Sequence, residues 1–367
     1  MVGLLNLHSL GWSSYFSDQI ISDENSMQPA RVIAIHKGEC DVSDGSIIRP
    51  SKMTGRLRHQ AKSKIDYPTV GDWVLVKSFN KGEFGSIHRV LNRSSALIRK
   101  SSGRSINKQL IAANIDVAFI VQSLGPMFNL NRLERYLVMV NESNIKPVII
   151  LTKTDLLNPE EVEQKRNEVT CRIPEVKIVM LSNRTKQGIN FVQDLFKKRL
   201  TYCVVGLSGV GKTTLLNELL GSDLLPTLPV RETDGKGLHT TTRRELITLE
   251  NGSHIIDTPG MRELGNLDAN SGIKETYNDI NNIAESCLYN DCDHLKSEGC
   301  AVIKSLESGD LSKERYEHYL KLIKESYVSS NRKSERIEKE KKNSRFHGSD
   351  NKSVSYTHLT LPTKLAV

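Results

Sequence analysis

Hydrophobic and polar positions divide the 367-residue chain into stretches of different period. From Arg31 to Arg104 short runs rich in β-branched and apolar residues recur: RVIAI (Arg31 to Ile35), DWVLVKSF (Asp72 to Phe79) and SALIRK (Ser95 to Lys100). Gly and Asp punctuate them, as in VSDG and YPTVGD, which predicts several short strands in about 75 residues and fits a small OB-type β-barrel. From about Ile106 to Asn266 the pattern alternates. DVAFIVQS, KPVIILTK, VKIVMLS and TYCVVG are continuous apolar runs, read as buried strands. NRLERYLVMVNES, PEEVEQKRNEV and GINFVQDLFKKRL read as helices, with Leu133, Leu137 and Val140 on one side of the first. Such alternation predicts a mainly parallel sheet covered by helices. After Ala269 the pattern turns helical and polar, and residues 1 to about 28 have no clear period.

The expected domains are an N-terminal extension (1–30), the barrel (31–104), the α/β domain (105–268) and a helical domain with a basic tail (269–352). The final stretch, SVSYTHLTLPTKLAV (353–367), shifts composition abruptly and reads as foreign to the domain.

Charge adds a partner class. The net charge of +8 and pI near 9.0 favour a polyanion, or serve solubility alone. Arg56, Arg58, Lys62, Lys64, Arg89, Arg93 and Arg104 fall in the apparent loops of the barrel. They suit a nucleic-acid surface or a solvated face, and few aromatics accompany them for base stacking. No apolar run approaches the ~18 residues of a membrane helix. The start, MVGLLNLHSLGWSS, lacks a basic region and a sustained apolar core, so the cytosol is the expected location. Of six cysteines, Cys40, Cys171 and Cys203 are scattered, and a disulfide framework is not expected.

Chemistry enters at GLSGVGKTT. Gly206 to Thr213 fits G-x-x-x-x-G-K-[ST], after the strand TYCVV and before the helix TTLLNELL. The backbone N–H groups of Gly206, Leu207, Ser208, Gly209, Val210 and Gly211, with Thr214 at the helix start, are the expected phosphate cradle. Lys212 reaches the β and γ oxygens and Thr213 ligates Mg²⁺. Downstream, Thr240, Thr241 and Thr242 can offer a hydroxyl to Mg²⁺, with Thr241 the choice here. NGSHIIDTPG gives a strand ending at Asp257, the expected Mg²⁺ partner, and Gly260 can set its N–H against a γ-phosphate.

The strand VIILTK ends in Thr152-Lys153-Thr154-Asp155, close to the Asn-Lys-x-Asp of guanine-nucleotide proteins. One carboxylate, Asp155, can accept both the N1–H and the exocyclic amine of guanine, a donor pair that adenine lacks. Lys153 would lay its stem along the base. Ser182-Asn183, one helix later, occupies the place of a second base loop. The elements therefore run base, base, phosphate, switch, switch, the order of a circularly permuted domain whose switch loops lead directly into the C-terminal segment.

This combination resembles the bacterial ribosome-assembly GTPases of the RsgA (YjeQ/YloQ) family. YPTVGDWV, NLNRLERYLV, GLSGVGKTTLLN and GLHTTT followed by DTPGMREL carry the resemblance, over roughly Arg31 to Asn351. It implies an OB-type barrel, a permuted P-loop GTPase domain and a zinc-binding helical domain. It also implies GTP with Mg²⁺ as substrate, binding to the small ribosomal subunit and its rRNA, and hydrolysis stimulated there. A monomer with no membrane partner is expected. One position departs: Thr152 stands where Asn is usual, keeping a hydroxyl and losing an amide donor.

Many GTPases place a Gln after Asp-x-x-Gly to orient water. Here Met261 follows Gly260, so intrinsic turnover is expected to be slow. His239 is the candidate for orienting water, and the resemblance supports a switch histidine; an RNA-facing or solvent histidine is the alternative. Cys287, Cys292, His294 and Cys300 lie within a short span, and three Cys with one His complete a closed structural Zn²⁺ site. That spacing matches the family's metal site. Arg332, Lys333, Lys341, Lys342 and Arg345 would contact rRNA or form a solvated helix. Two other readings remain at this level: a P-loop ATPase acting on nucleic acid, against which Asp155 argues, and an rRNA-binding module holding GTP as a structural ligand.

Overall fold

The computed structural model describes residues 2–24, 26–79, 82–100, 108–221, 244–256, 269–295 and 297–328. Strands β1 (Gln28–Ile35), β2 (Cys40–Ser43), β3 (Ile48–Met53), β4 (Trp73–Phe79) and β5 (Phe84–Val90) close into a barrel in the order β1-β2-β3-β5-β4. Pairs are antiparallel except β3 with β5. Closure leaves no free edge, and Val32, Val42, Val74, Val76 and Ile87 fill the interior.

The aperiodic N-terminal residues pack against this barrel. They form helices α1 (Val2–Ser9) and α2 (Ser14–Ser17), each too short to print a period on the sequence. Trp12 meets Trp73 edge-on at 4.8 Å and Phe16 lies 5.7 Å from the same ring, in a cluster with Leu7, Leu10, Leu75 and Leu91. Arg31 threads between the parts. Its guanidinium donates to the carbonyls of Leu10, Gly71 and Asn114 and to Thr201 Oγ1, beneath the ring of Trp73.

Helix α3 (Gly55–Gln60) follows β3 and carries Arg56 and Arg58, both exposed, as are Lys62 and Lys64 after it. Two of the expected loop cations are committed internally. Arg93 forks onto the buried Asp72 at 2.7 and 2.8 Å, and Arg89 pairs with Glu24 at 2.5 Å. Arg104 lies outside the described residues. The run SALIRK also departs from expectation. As β6 (Ala96–Lys100) it pairs with β7 (Lys108–Ala113) in a separate two-stranded sheet and gives Leu97 to the α/β core. Ser95 is the reason: its hydroxyl and the backbone of Ile115 exchange two bonds of 2.7 Å, pinning the ribbon to the start of the next strand.

The central sheet contains β8 (Val117–Ser123), β9 (Lys146–Thr152), β10 (Lys177–Met180), β11 (Thr201–Val205), β12 (Leu246–Thr248) and β13 (His254–Ile256). Its order is β10-β9-β8-β11-β13-β12, parallel except for β12 on β13. Helices α4 (Leu130–Glu142), α5 (Pro159–Arg172), α6 (Ile189–Gln193) and α7 (Lys212–Leu220) connect and flank the strands. All seven residues of β8 are buried, as a strand covered on both faces requires. Asn158 and Glu161 form a reciprocal capping box with Pro159 at the first turn, which fixes where α5 begins. The helix expected across GINFVQDLFKKRL stops at Gln193. The chain then turns so that Phe196 packs on Phe119 and Tyr202, 5.2 and 4.4 Å away.

The last part comprises α8 (Asn270–Thr276), α9 (Asn278–Ala284), α10 (Ala301–Ser308) and α11, spanning residues 313–328. Its core of Ile273, Tyr277, Ile280, Val302, Tyr319 and Leu322 takes in Val138 of α4. Gly272 lets α8 lie on α4, because a Cβ there would stand 2.2 Å from the Val138 carbonyl. The contact centres on Glu134, whose side chain is fully buried. Oε1 accepts from Arg172 Nε at 2.8 Å and Arg315 Nη1 at 2.7 Å; Oε2 meets Tyr277 Oη at 3.0 Å and His318 Nδ1 at 2.5 Å. No helix among the described residues is long and apolar enough to cross a membrane.

Candidate functional site

Parallel strands deliver their C-terminal ends to one edge of the sheet, where α/β proteins bind ligands. Strands β9, β10 and β11 end there in Thr152, Leu181-Ser182 and Gly206. Three glycines shape the loop after β11: Gly206 at φ 149°, Gly209 at 79° and Gly211 at 94°. A Cβ on Gly206 would fall 2.2 Å from the Val121 carbonyl, so glycine alone lets the loop leave the sheet here. Val210 anchors the loop in the core, Leu207, Ser208 and Gly209 are half-buried, and Thr214 is exposed. Lys212 opens α7 and turns back, its Nζ donating to the carbonyls of Gly206 at 2.9 Å and Leu207 at 2.5 Å. One positive charge thus sits over a ring of backbone, beside a helix N-terminus and Thr213 in its first turn, an arrangement suited to polyphosphate.

The Thr152–Asp155 loop lies directly alongside. Thr152 is buried, and its hydroxyl donates to the Val210 carbonyl of the phosphate loop at 2.6 Å. Lys153 takes the left-handed conformation (φ 60°), which turns the chain sharply at the end of β9. Thr154 is buried and donates its N–H to Leu181, while Asp155 is exposed. The second base loop orients Asp155: Ser182 Oγ donates to its Oδ1 at 2.6 Å and receives the N–H of Thr185 at 3.1 Å. Asn183 Nδ2 reaches the Gly211 carbonyl at 3.1 Å. The structure therefore unites the tetrapeptide, Ser182-Asn183 and the phosphate loop, although the sequence presents them base first. The direct ties from Thr152 and Asn183 to the phosphate loop were not legible in the sequence. Thr241, Asp257, Gly260 and His239 lie outside the described residues, as do Thr240, Thr242 and Met261.

Over this α/β region a family model described as "RsgA GTPase" matches residues 90–267. A relative from Vibrio vulnificus, "Small ribosomal subunit biogenesis GTPase RsgA 2", is 38% identical over 323 residues, 87% of this chain and 87% of that protein. The chain belongs to the RsgA GTPase family. A second relative, "Small ribosomal subunit biogenesis GTPase RsgA 1" of Bacteroides thetaiotaomicron, is 37% identical over 92% of this chain and 94% of its own. Solved structures agree with this RsgA-family assignment. YjeQ from Thermotoga maritima matches with a TM-score of 0.62 at 25% identity, covering 82% of this chain and 99% of that one. YloQ, described as a circularly permuted GTPase, matches at 0.61 and 25%, covering 84% and 98%. In this chain the base-loop strands β9 and β10 precede the phosphate-loop strand β11, which lies beside β8 in the sheet, the order of a circularly permuted domain.

A second cluster lies in the C-terminal part. Cys287 Sγ and Cys300 Sγ are 4.0 Å apart and stand 3.7 and 3.6 Å from His294 Nδ1. With Cys292, one donor atom from each residue falls within 4.8 Å of every other. Tetrahedral Zn²⁺ with bonds of about 2.3 Å to sulfur and 2.0–2.1 Å to nitrogen has edges of roughly 3.5–3.8 Å, which this donor set fits. His294 has φ 57° and is held by Tyr316 Oη on its carbonyl. The N–H groups of Ala301 and Ile303 point at Cys287 and Cys300 at 3.4 and 3.5 Å and fix where the two sulfurs sit.

Proposed function

We propose that this GTPase acts in late maturation of the small (30S) ribosomal subunit, hydrolysing GTP to GDP and phosphate with turnover stimulated by that subunit. One conjunction carries the reading. Relatives named for small-subunit biogenesis align with 87% or more of the chain, and the geometry joins a guanine-type loop to a phosphate loop.

In this reading Asp155, oriented by Ser182, accepts the paired donors of guanine, and Lys153 covers the base. Loop N–H groups and Lys212 hold the β- and γ-phosphates. Thr213, Thr241 and Asp257 would hold Mg²⁺, which would supply neutralising charge to the phosphates. Gly260 directs its N–H at the γ-phosphate, and His239 orients the attacking water. Such transfer depends on positioning and charge stabilisation rather than covalent chemistry. With Met261 in place of a Gln, the free enzyme turns over slowly, and the ribosome supplies the ordering.

The four-residue Cys/His cluster holds one structural Zn²⁺, which braces a domain of short helices. The barrel (31–104), the GTPase domain (105–268) and the zinc domain with its tail (269–352) form the working units of a cytosolic monomer. Exposed Arg56, Arg58, Lys62 and Lys64 are the barrel's rRNA contacts, with Arg332, Lys333, Lys341, Lys342 and Arg345 in the tail. The deciding experiment is GTP hydrolysis with added small subunits, large subunits or neither. Strong stimulation by small subunits alone is expected, and His239→Ala should remove the stimulated fraction. Tight GTP binding without any stimulation would overturn the reading.

A further inference from the structure

A cleft lies between the GTPase core and the C-terminal helices, and the reaction described above makes no use of it. It encloses about 730 Å³ and is lined by Asn129, Arg132 and Arg135 at the start of α4, Leu207 of the phosphate loop, and His318 and Lys321 of α11. We propose that this cleft is a second anion site and that it takes orthophosphate. The inference rests on the GTPase reading only for the source of that ligand, which hydrolysis would release beside the loop that carries Leu207.

His318 carries the argument. Its side chain is only 4% exposed, and its two ring nitrogens have different surroundings. Nδ1 lies 2.5 Å from Glu134 Oε2 and 2.8 Å from Tyr277 Oη, whereas Nε2 is buried without a hydrogen-bond partner among the described residues. A buried orphan of this kind costs about 1–3 kcal/mol unless something meets it. Glu134 already binds the guanidiniums of Arg172 and Arg315, so a third positive charge gains little there. The hydrogen-bond network therefore assigns a neutral ring, which gives its proton from Nδ1 to the carboxylate and leaves Nε2 a lone pair. The missing partner is a donor.

The rest of the cleft calls for negative charge. Arg132 and Lys321 form no ion pair among the described residues, and Arg132 spends only Nη1, on the Met127 carbonyl at 3.1 Å. Helix α4 begins here with Asn129 as its cap, so its first turn adds the positive end of a helix dipole. Two carboxylates, Glu314 and Glu317, also line the cleft, but they pair with Arg172 at 3.5 Å and Lys313 at 3.9 Å. Arg135 is committed to Glu325 at 2.6 Å. A ligand that is both an anion and a hydrogen-bond donor meets the two demands together. Orthophosphate at neutral pH keeps a P–OH for Nε2 and charged oxygens for Arg132 and Lys321. Sulfate and phosphodiesters have similar oxygens and no proton to give.

The test is a phosphorus-31 NMR titration of the full-length protein with orthophosphate, the nucleotide site being filled beforehand with a non-hydrolysable GTP analogue. One saturable site is expected. His318→Asn keeps an amide donor where Nδ1 stands and removes Nε2. It should raise the phosphate dissociation constant roughly tenfold, the scale of one hydrogen bond to a charged ligand, and Lys321→Gln should do likewise. Sulfate and dimethyl phosphate should each compete about tenfold less well than phosphate itself. No saturable binding at millimolar phosphate would overturn the site. So would wild-type affinity in both His318→Asn and Lys321→Gln, which would place the phosphate elsewhere. Sulfate competing as well as phosphate would also overturn it, by denying Nε2 its part as acceptor. Should His318→Asn not fold, Lys321→Gln at its exposed position decides together with sulfate. Failure of the GTP analogue to bind would instead sink the nucleotide reading, and the same titration of the free protein would then judge the cleft.

Discussion

The GTPase core meets its two flanking parts in different chemical languages. On the C-terminal side, a buried carboxylate, Glu134, is met by two guanidiniums, a phenol and an imidazole. On the N-terminal side, a buried guanidinium, Arg31, is met by three carbonyls, a hydroxyl and an indole face. Both sites satisfy the charge with hydrogen bonds, yet only the first does so with opposite charge in direct contact. Burial alone would raise the Glu134 carboxyl. Bonds from His318 and Arg172 and the charges of Arg172 and Arg315 hold it instead at about 2. Burial lowers Arg31 to about 10, and Asp116 and Asp72, near but not bonded, only partly offset this. An ion-paired junction is strong when whole and fails when one partner goes; a junction of neutral acceptors fails more gently.

The largest expected effect comes from breaking the ionic side. Glu134→Gln removes the carboxylate that Arg172 and Arg315 share, leaving Arg315 with Asp279 and Arg172 with the exposed Glu314 at 3.5 Å, and should cost about 3 kcal/mol, read by denaturant unfolding. A loss below about 1 kcal/mol would mean that the ion pairs are not what joins the parts. Arg31→Met should cost less, about 1–3 kcal/mol, because it orphans neutral acceptors and no charge. If Arg31→Met proves the more damaging, the contrast is wrong.

Acid sharpens the same comparison. Glu134 has a folded pKa below its ordinary value, so its stabilisation is complete above about pH 4.5 and is lost as pH falls toward 2. His254, buried beside the N-terminal junction, is lowered to about 4 by burial and then by Arg31. There the unfolded chain binds the proton more readily, so stability declines as pH falls from about 6.5 to 4, by at most about 3 kcal/mol. Unfolding measured across pH should show two separate losses. Glu134→Gln should abolish the lower one alone.

The smallest effect is a coupling. Since Arg31 helps to depress His254, Arg31→Met should move the His254 titration upward, visible in the ring-proton NMR shifts. An unchanged titration would leave burial as the sole cause.

Much of the fold was legible because its signals are local. Five consecutive apolar residues, Val117 to Val121, announce β8, and the glycines with Lys212 announce a phosphate loop wherever they fall. The junctions were not legible. Glu134 sits beside Leu133 in a helical stripe read for its apolar members, and its partners Arg315 and His318 lie 181 and 184 residues on. Arg31 looked like the start of a strand, and Arg93 like a loop cation for nucleic acid; the fold spends both inside. Thr152 illustrates the opposite limit. The sequence marked it as a departure, but its bond to Val210 depends on how closely two distant loops approach.

The order of the sheet also has a consequence in time. Strand β8 gains β9 on one side soon after it is made, while its other neighbour, β11, begins roughly 80 residues later. At bacterial-to-eukaryotic synthesis rates of about 5–20 residues per second, this fully buried strand waits on the order of 4–16 s with an open edge. The ribosome that this protein is proposed to help build is thus also, for those seconds, the surface beside which its own half-made sheet must stay unpaired.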